Sequence, residues 1–175
     1  AREQRHRIDW ARYTPPTPQW LGVRRFEHYP LADIARYIDW TPFFQSWELY
    51  GRYPAILQDE VVGESARALW ADAQTMLKQL IDENWLQASA VIGLFPAHSV
   101  NHDDIEIRDP DTGAARMTWV GLRQQLVKTD KDGNANPDWA LADFIAPADS
   151  GVQDYIGAFA VTGGLGIDPH VARFE

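Results

Sequence analysis

The sequence predicts an α+β fold, amphipathic helices packed on an antiparallel sheet, and three observations carry that prediction. Between Glu64 and Asp82 the apolar residues Ala66, Leu69, Trp70, Ala73, Met76, Leu77, Leu80 and Ile81 recur at three- and four-residue steps, the period of a helix with one buried face. Ile105-Glu106-Ile107 and Met117-Thr118-Trp119-Val120 flank the turn signal Asp109-Pro110-Asp111-Thr112-Gly113, as two hairpin strands do. Helical periodicity comes first and strand patterns follow, the order of α+β domains rather than of alternating βαβ units.

Taken in order, residues 1–30 hold Thr14-Pro15-Pro16-Thr17-Pro18, too rich in proline for a helix or a central strand, and read as an extended surface lead-in. Leu31 to Tyr37 reads as a short helix with Leu31, Ile34 and Ala35 on one face, and Phe43 to Leu49 as a second, closed by Gly51. Between them Tyr37-Ile38-Asp39-Trp40-Thr41-Pro42-Phe43-Phe44 sets one carboxylate among aromatic and apolar residues. Asp39 must therefore find a cation or several donors, or lose its charge. It also stands where an aspartate caps a helix that starts near Thr41-Pro42. Asp59, Glu60 and Glu64 precede the long helix, where negative charge complements the helix dipole. Ala90-Val91-Ile92-Gly93-Leu94-Phe95 reads as a buried strand, followed by the hairpin. Leu141 to Ala146 and Tyr155 to Val161 read as two further strands, and Gly163-Gly164-Leu165-Gly166 as the turn after the last.

Composition narrows the function. The 175 residues include 45% hydrophobic positions and eight tryptophans, enough for a core and incompatible with disorder. A net charge of -9 with dispersed basic residues argues against nucleic acid as a partner. The absence of cysteine excludes disulfides, thiolate nucleophiles and Cys-ligated metals. No apolar run approaches membrane-spanning length and no signal-peptide pattern is present, so no membrane partner and a cytoplasmic location are expected.

Few constellations suggest chemistry. His98, His102, Asp103 and Asp104 contain the His-x-x-x-His spacing that suits zinc on a helix, but Pro96 precedes it and Ser99-Val100-Asn101 reads as a loop, so no metal site is expected. The glycine run lacks the lysine of a phosphate loop, and Ser150-Gly151 lacks a nucleophile elbow. No catalytic residue is assigned. These readings reach an α+β domain with one conspicuous carboxylate and stop there.

A resemblance goes further. The block around Asp39 followed by Trp47-Glu48-Leu49, then Gly51-Arg52-Tyr53-Pro54-Ala55-Ile56-Leu57 and Asp59-Glu60-Val61-Val62-Gly63, resembles the activation domain of cobalamin-dependent methionine synthase. Val91-Ile92-Gly93-Leu94-Phe95-Pro96-Ala97, Asp103-Asp104-Ile105-Glu106, Leu122-Arg123-Gln124-Gln125, Leu141-Ala142-Asp143-Phe144-Ile145-Ala146-Pro147 and Asp154-Tyr155-Ile156-Gly157-Ala158-Phe159-Ala160-Val161-Thr162 are similar to the same family in the same order. The resemblance implies a C-shaped domain around a bent antiparallel sheet. It implies binding of S-adenosylmethionine as methyl donor for reductive remethylation of cob(II)alamin, and hence a part in a methyltransferase of methionine biosynthesis. The aspartate of the Ile-Asp-Trp-Thr-Pro-Phe-Phe block, Asp39 here, is implied to hold the ligand's amino group. Implied partners are a cobalamin-binding domain of the same polypeptide and a flavodoxin-type electron donor, with cobalamin and zinc held in other domains. Family domains are nearly twice this length and carry an Arg-x-x-x-Gly-Tyr block that this sequence lacks. Residues 1–30 are accordingly read as the lead-in from an upstream cobalamin-binding module and residues 31–175 as the N-terminal portion of the domain, inactive alone. A non-catalytic module that docks a cobalamin domain or a reductase is the alternative reading.

Overall fold

A computed structural model describes residues 1–174, in two compact units. The first comprises Ala1–Arg25 and Val91–Ala160, and the second Phe26–Ala90 with the chain from Val161 onward.

The first unit is built on a five-stranded sheet: β1 (Gly22–Phe26), β2 (Ala90–Val100), β3 (Asp104–Arg108), β4 (Ala115–Trp119) and β5 (Asp154–Val161). β2, eleven residues long, is the spine, pairing with β1, β3 and β5, and β4 adds to β3. The expected hairpin is present, with antiparallel register Ile105↔Trp119 and Ile107↔Met117. Asp109 organises its turn by accepting the N–H groups of Asp111 and Thr112, and these bonds hold its carboxyl below the usual carboxylate range. β1 was not foreseen: Gly-Val-Arg-Arg-Phe shows no alternation, and its middle residues are exposed, as suits a strand on the rim of a sheet.

Two readings are corrected here. Ser99 and Val100 are strand rather than loop, since β2 pairs with β3 as far as Val100↔Asp104. The turn falls at Asn101 and His102, both left-handed with φ of 52° and 74°, a conformation that Asn and His tolerate better than most residues. Leu141–Phe144 is a 3₁₀ turn, not a strand, because the Asp143 carboxylate accepts the Ala140 N–H at 3.0 Å and closes the chain on itself. Ala146, Pro147 and Ala148 then reach the sheet at Ser99, whose N–H donates to the Ala146 carbonyl and whose carbonyl accepts the Ala148 N–H. That turn lays Ala142 and Ile145 over Ala97 and Ile105 to form the core of this unit.

The first ten residues are packed rather than merely extended. Arg2 pairs with Asp103 at 2.6 Å, the Gln4 carbonyl accepts the Asp138 N–H, and the His6 ring lies 4.6 Å from that of Trp139. The proline stretch carries no helix or strand, and Pro15 is buried. After β4, Gly121 donates its N–H to the Asp104 carboxylate at 3.2 Å, passing so close that a Cβ there would lie 2.0 Å from the Asp103 carbonyl oxygen.

The second unit is helical: α1 (Leu31–Ala35), α2 (Trp40–Ser46), α3 (Gly63–Asp82) and α4 (Asp168–Val171). α3 is the long helix that the periodicity predicts. Its Ala66 is fully buried with Phe44 of α2 and Ile56, while Leu69 and Trp70 pack against them. Trp70 centres the aromatic cluster, 4.6 Å from Trp40 and 4.8 Å from Tyr53 between ring centroids. α2 ends earlier than Gly51: Glu48 takes a left-handed φ of 60°, and the N–H groups of Glu48 and Leu49 return to Gln45 and Phe44. α3 ends the same way at Asn84, placing Trp85 to accept the stacked ring of His170 at 4.3 Å. Asp59 binds the N–H groups of Val61 and Val62 ahead of α3, so its charge sits where the dipole favours it.

Candidate functional site

Asp39 is the residue before α2. Its Oδ1 accepts the Thr41 N–H at 3.0 Å, the expected cap, and Pro42 follows inside the first turn, where a missing N–H costs nothing. Of the surrounding aromatics Phe44 is fully buried with Trp40 and Phe43 packed beside it, while Tyr37 is exposed. The carboxylate is exposed, so solvent and one backbone donor satisfy it in place of a cation. Oδ2 accepts no hydrogen bond among the described residues. Thr41 in turn accepts the Tyr53 N–H at 3.3 Å, tying the cap to the segment after α2. Chemically the arrangement is a fixed, solvent-facing carboxylate with spare acceptor capacity, suited to binding an ammonium.

A second polar centre lies in the sheet unit and escaped sequence reasoning. Arg123 is almost wholly buried; it donates to Asp103 at 2.7 Å, to both oxygens of Asp143 at 2.7 Å each, and to the carbonyls of Asp138 and His102. The guanidinium thus uses its fork on four residues, His102 and Asp103 before it and Asp138 and Asp143 after it. Burial alone would raise the Asp103 carboxyl, but the bonds from Arg123 and Arg2 prevail and hold it below the usual range. Arg123 itself is pushed further up by Asp143. Its partners lie twenty residues away on either side, beyond any local pattern. This centre is a tie, saturated by its own ligands.

The histidine cluster comes apart. His98 lies in β2, His102 occupies the turn, and Asp103 belongs to Arg123, so the described residues contain no group of three or more potential ligands gathered for a metal. Ser150 donates its hydroxyl to the Pro147 carbonyl at 2.6 Å and serves its own turn. Gly164 and Gly166 adopt φ of 79° and 97°, turning the chain after β5. Two depressions mark the sheet unit. One, of about 650 Å³, is lined by Arg5, Trp10, His102 and Asp149 among others; a smaller one, about 400 Å³, is lined by Phe95, Ile107, Met117, Trp119, Leu141 and Ile156 with their neighbours. Neither includes Asp39.

Comparison with known proteins decides the family. Residues 30–175 match the vitamin B12 dependent methionine synthase activation domain. The chain belongs to that family. The fold agrees: a crystal structure described as the MetH reactivation domain bound to AdoHcy superposes with a TM-score of 0.80 at 47% sequence identity, over 99% of this chain. The chain spans 52% of that domain's chain, about half its length. The mixed helices and antiparallel sheet expected from the sequence are those of this activation-domain family. No helix is long and apolar enough to cross a membrane among the described residues.

Proposed function

We propose that this chain is the part of a methionine synthase activation domain that holds the amino-acid end of S-adenosylmethionine, with Asp39 as the anion facing its ammonium. The observation that carries the reading is the exposed Asp39 carboxylate, fixed through one oxygen by the Thr41 N–H and open at the other, in a chain 47% identical to a domain described as bound to AdoHcy. When bound, S-adenosylmethionine supplies a methyl group on a sulfonium, for transfer to the cobalt of cobalamin held by another domain. Asp39 takes no part in bond making. It holds the charged end of the ligand while Thr41 and the first turn of α2 fix its direction.

Magnitudes support a modest role. An ammonium about 4 Å from a carboxylate gains roughly 4 kcal/mol at an effective dielectric near 20, before desolvation is subtracted. A flavodoxin-type donor would provide the electron that accompanies methylation, and residues 1–30 would lead in from an upstream cobalamin-binding module, in the cytoplasm.

The test is Asp39→Asn in a protein extended to the full length of the matched domain. Asparagine caps a helix as well as aspartate, so α2 is kept and only the charge is lost. Titration calorimetry is expected to show S-adenosylmethionine binding weakened by about 1–3 kcal/mol. Unchanged affinity with an intact circular dichroism spectrum would leave Asp39 as a helix cap and favour a docking module.

A further inference from the structure

The larger depression of the sheet unit runs against the charge of the chain. The sequence has 25 acidic residues and 16 lysines and arginines, yet cations prevail in the wall of this depression of about 650 Å³. Half-buried Arg5 and exposed Arg7 line it from the lead-in, and His102 lines it from the turn after β2. Of the two aspartates in the lining, Asp143 is taken up by Arg123, which leaves Asp149 alone against two permanent cations. Arg2, nearby in the chain, finds the Asp103 carboxylate at 2.6 Å. Arg5 and Arg7 find none. The one side-chain bond of Arg5 among the described residues goes to the Arg2 carbonyl at 3.3 Å, and the Arg7 side chain bonds no described residue. The rest of the wall is largely apolar, with Ile8 and Trp10 of the lead-in, Val100 of β2, and Ile145 and Pro147 after the 3₁₀ turn. Arg2 on Asp103 and His6 stacked on Trp139 fix the lead-in in place, so this wall stands before any ligand arrives.

We propose that this depression binds a small organic phosphate, whose oxyanion meets Arg5 and Arg7 and whose apolar body lies against Trp10, Val100 and Ile145. Guanidinium forks match phosphate oxygens in geometry, and two of them suit a dianion better than the single charge of a carboxylate. The volume falls within the roughly 300–1,000 Å³ of small-molecule sites. This site is separate from Asp39, which is absent from its lining and belongs to the other unit.

Titration calorimetry on the protein extended to the full length of the matched domain, in phosphate-free buffer of low salt, tests this with phenyl phosphate, inorganic phosphate and benzoate. Phenyl phosphate is expected to bind at submillimolar concentration and the other two at least ~10-fold more weakly, since one lacks the apolar body and the other the second charge. Arg7→Gln, at a side chain that bonds nothing described, is expected to weaken phenyl phosphate at least ~10-fold through loss of a charge-assisted bond, and Arg5→Gln likewise. Arg12→Gln removes a lead-in cation outside the lining and is expected to leave binding unmoved, as is Asp39→Asn. Failure of phenyl phosphate to bind overturns the proposal, and so does binding indifferent to both Arg5→Gln and Arg7→Gln. Equal weakening by Arg12→Gln overturns it in favour of diffuse charge, and benzoate bound as tightly as phenyl phosphate overturns the phosphate class. Weakening by Asp39→Asn also overturns it, and moves the anion to the site proposed for S-adenosylmethionine.

Discussion

Arg123 and Asp39 show how differently two charged residues are used. Arg123 is enclosed by carboxylates and carbonyls, and removing it strands Asp143 in the interior and leaves Asp103 with Arg2 alone. Arg123→Met is therefore expected to destabilise the sheet unit by about 3–5 kcal/mol in urea unfolding. The pH dependence identifies the cause. Because the folded Asp103 carboxyl lies below its unfolded value, its contribution is present above about pH 4 and is lost as pH falls through the folded value. In the variant only Arg2 opposes burial, so that carboxyl rises relative to the parent and less stability is lost in acid. A variant whose acid limb matches that of the parent would show that Asp103 is held by something other than Arg123. Asp39 was legible in the sequence because a lone carboxylate among aromatics, followed by Thr-Pro, is a local signal. Arg123 was not, since its meaning depends on residues that only the folded chain brings to it.

At the scale of elements, the long helix and the hairpin were readable because periodicity and turn chemistry are written within a few consecutive residues. The 3₁₀ turn at Leu141–Phe144 was not: its apolar composition matches a strand, and a side-chain bond from Asp143 decides against one. The end of α2 was misjudged for a similar reason. Gly51 looked like the stop, yet Glu48 takes the left-handed position that glycine usually fills, and the bonds to Gln45 and Phe44 hold it there. A side chain with a Cβ is strained in that position. Glu48→Gly is thus expected to stabilise the helical unit, by about 0.5–1 kcal/mol after the added freedom of the unfolded chain is deducted. Thermal unfolding checks this, and a lower midpoint would mean that the glutamate side chain contributes a contact of its own.

For the whole molecule, the fold class followed from the succession of patterns, but the division into two units did not, because the chain leaves the sheet after β1 and returns at β2. On the proposed function, ligand binding belongs to the whole domain. Asp39 would meet only the ammonium of a zwitterionic ligand, and immobilising that ligand costs several kcal/mol, more than one ion pair at a wet site returns. The 175-residue chain alone is accordingly expected to bind S-adenosylmethionine at least ~100-fold more weakly than the extended domain, by calorimetry at matched pH and salt. Comparable micromolar affinity for both would mean that a complete site lies within these residues.

Gly121 carries a consequence for anyone comparing relatives of this protein. A single added carbon there would collide with the Asp103 carbonyl, a backbone atom that cannot swing aside. A saturation library at position 121 would return almost nothing but the parent, though the residue has no side chain to lose. An invariant glycine in that alignment column would therefore record two strands of backbone crossing, and mutational intolerance there would be a fact about clearance, not about chemistry.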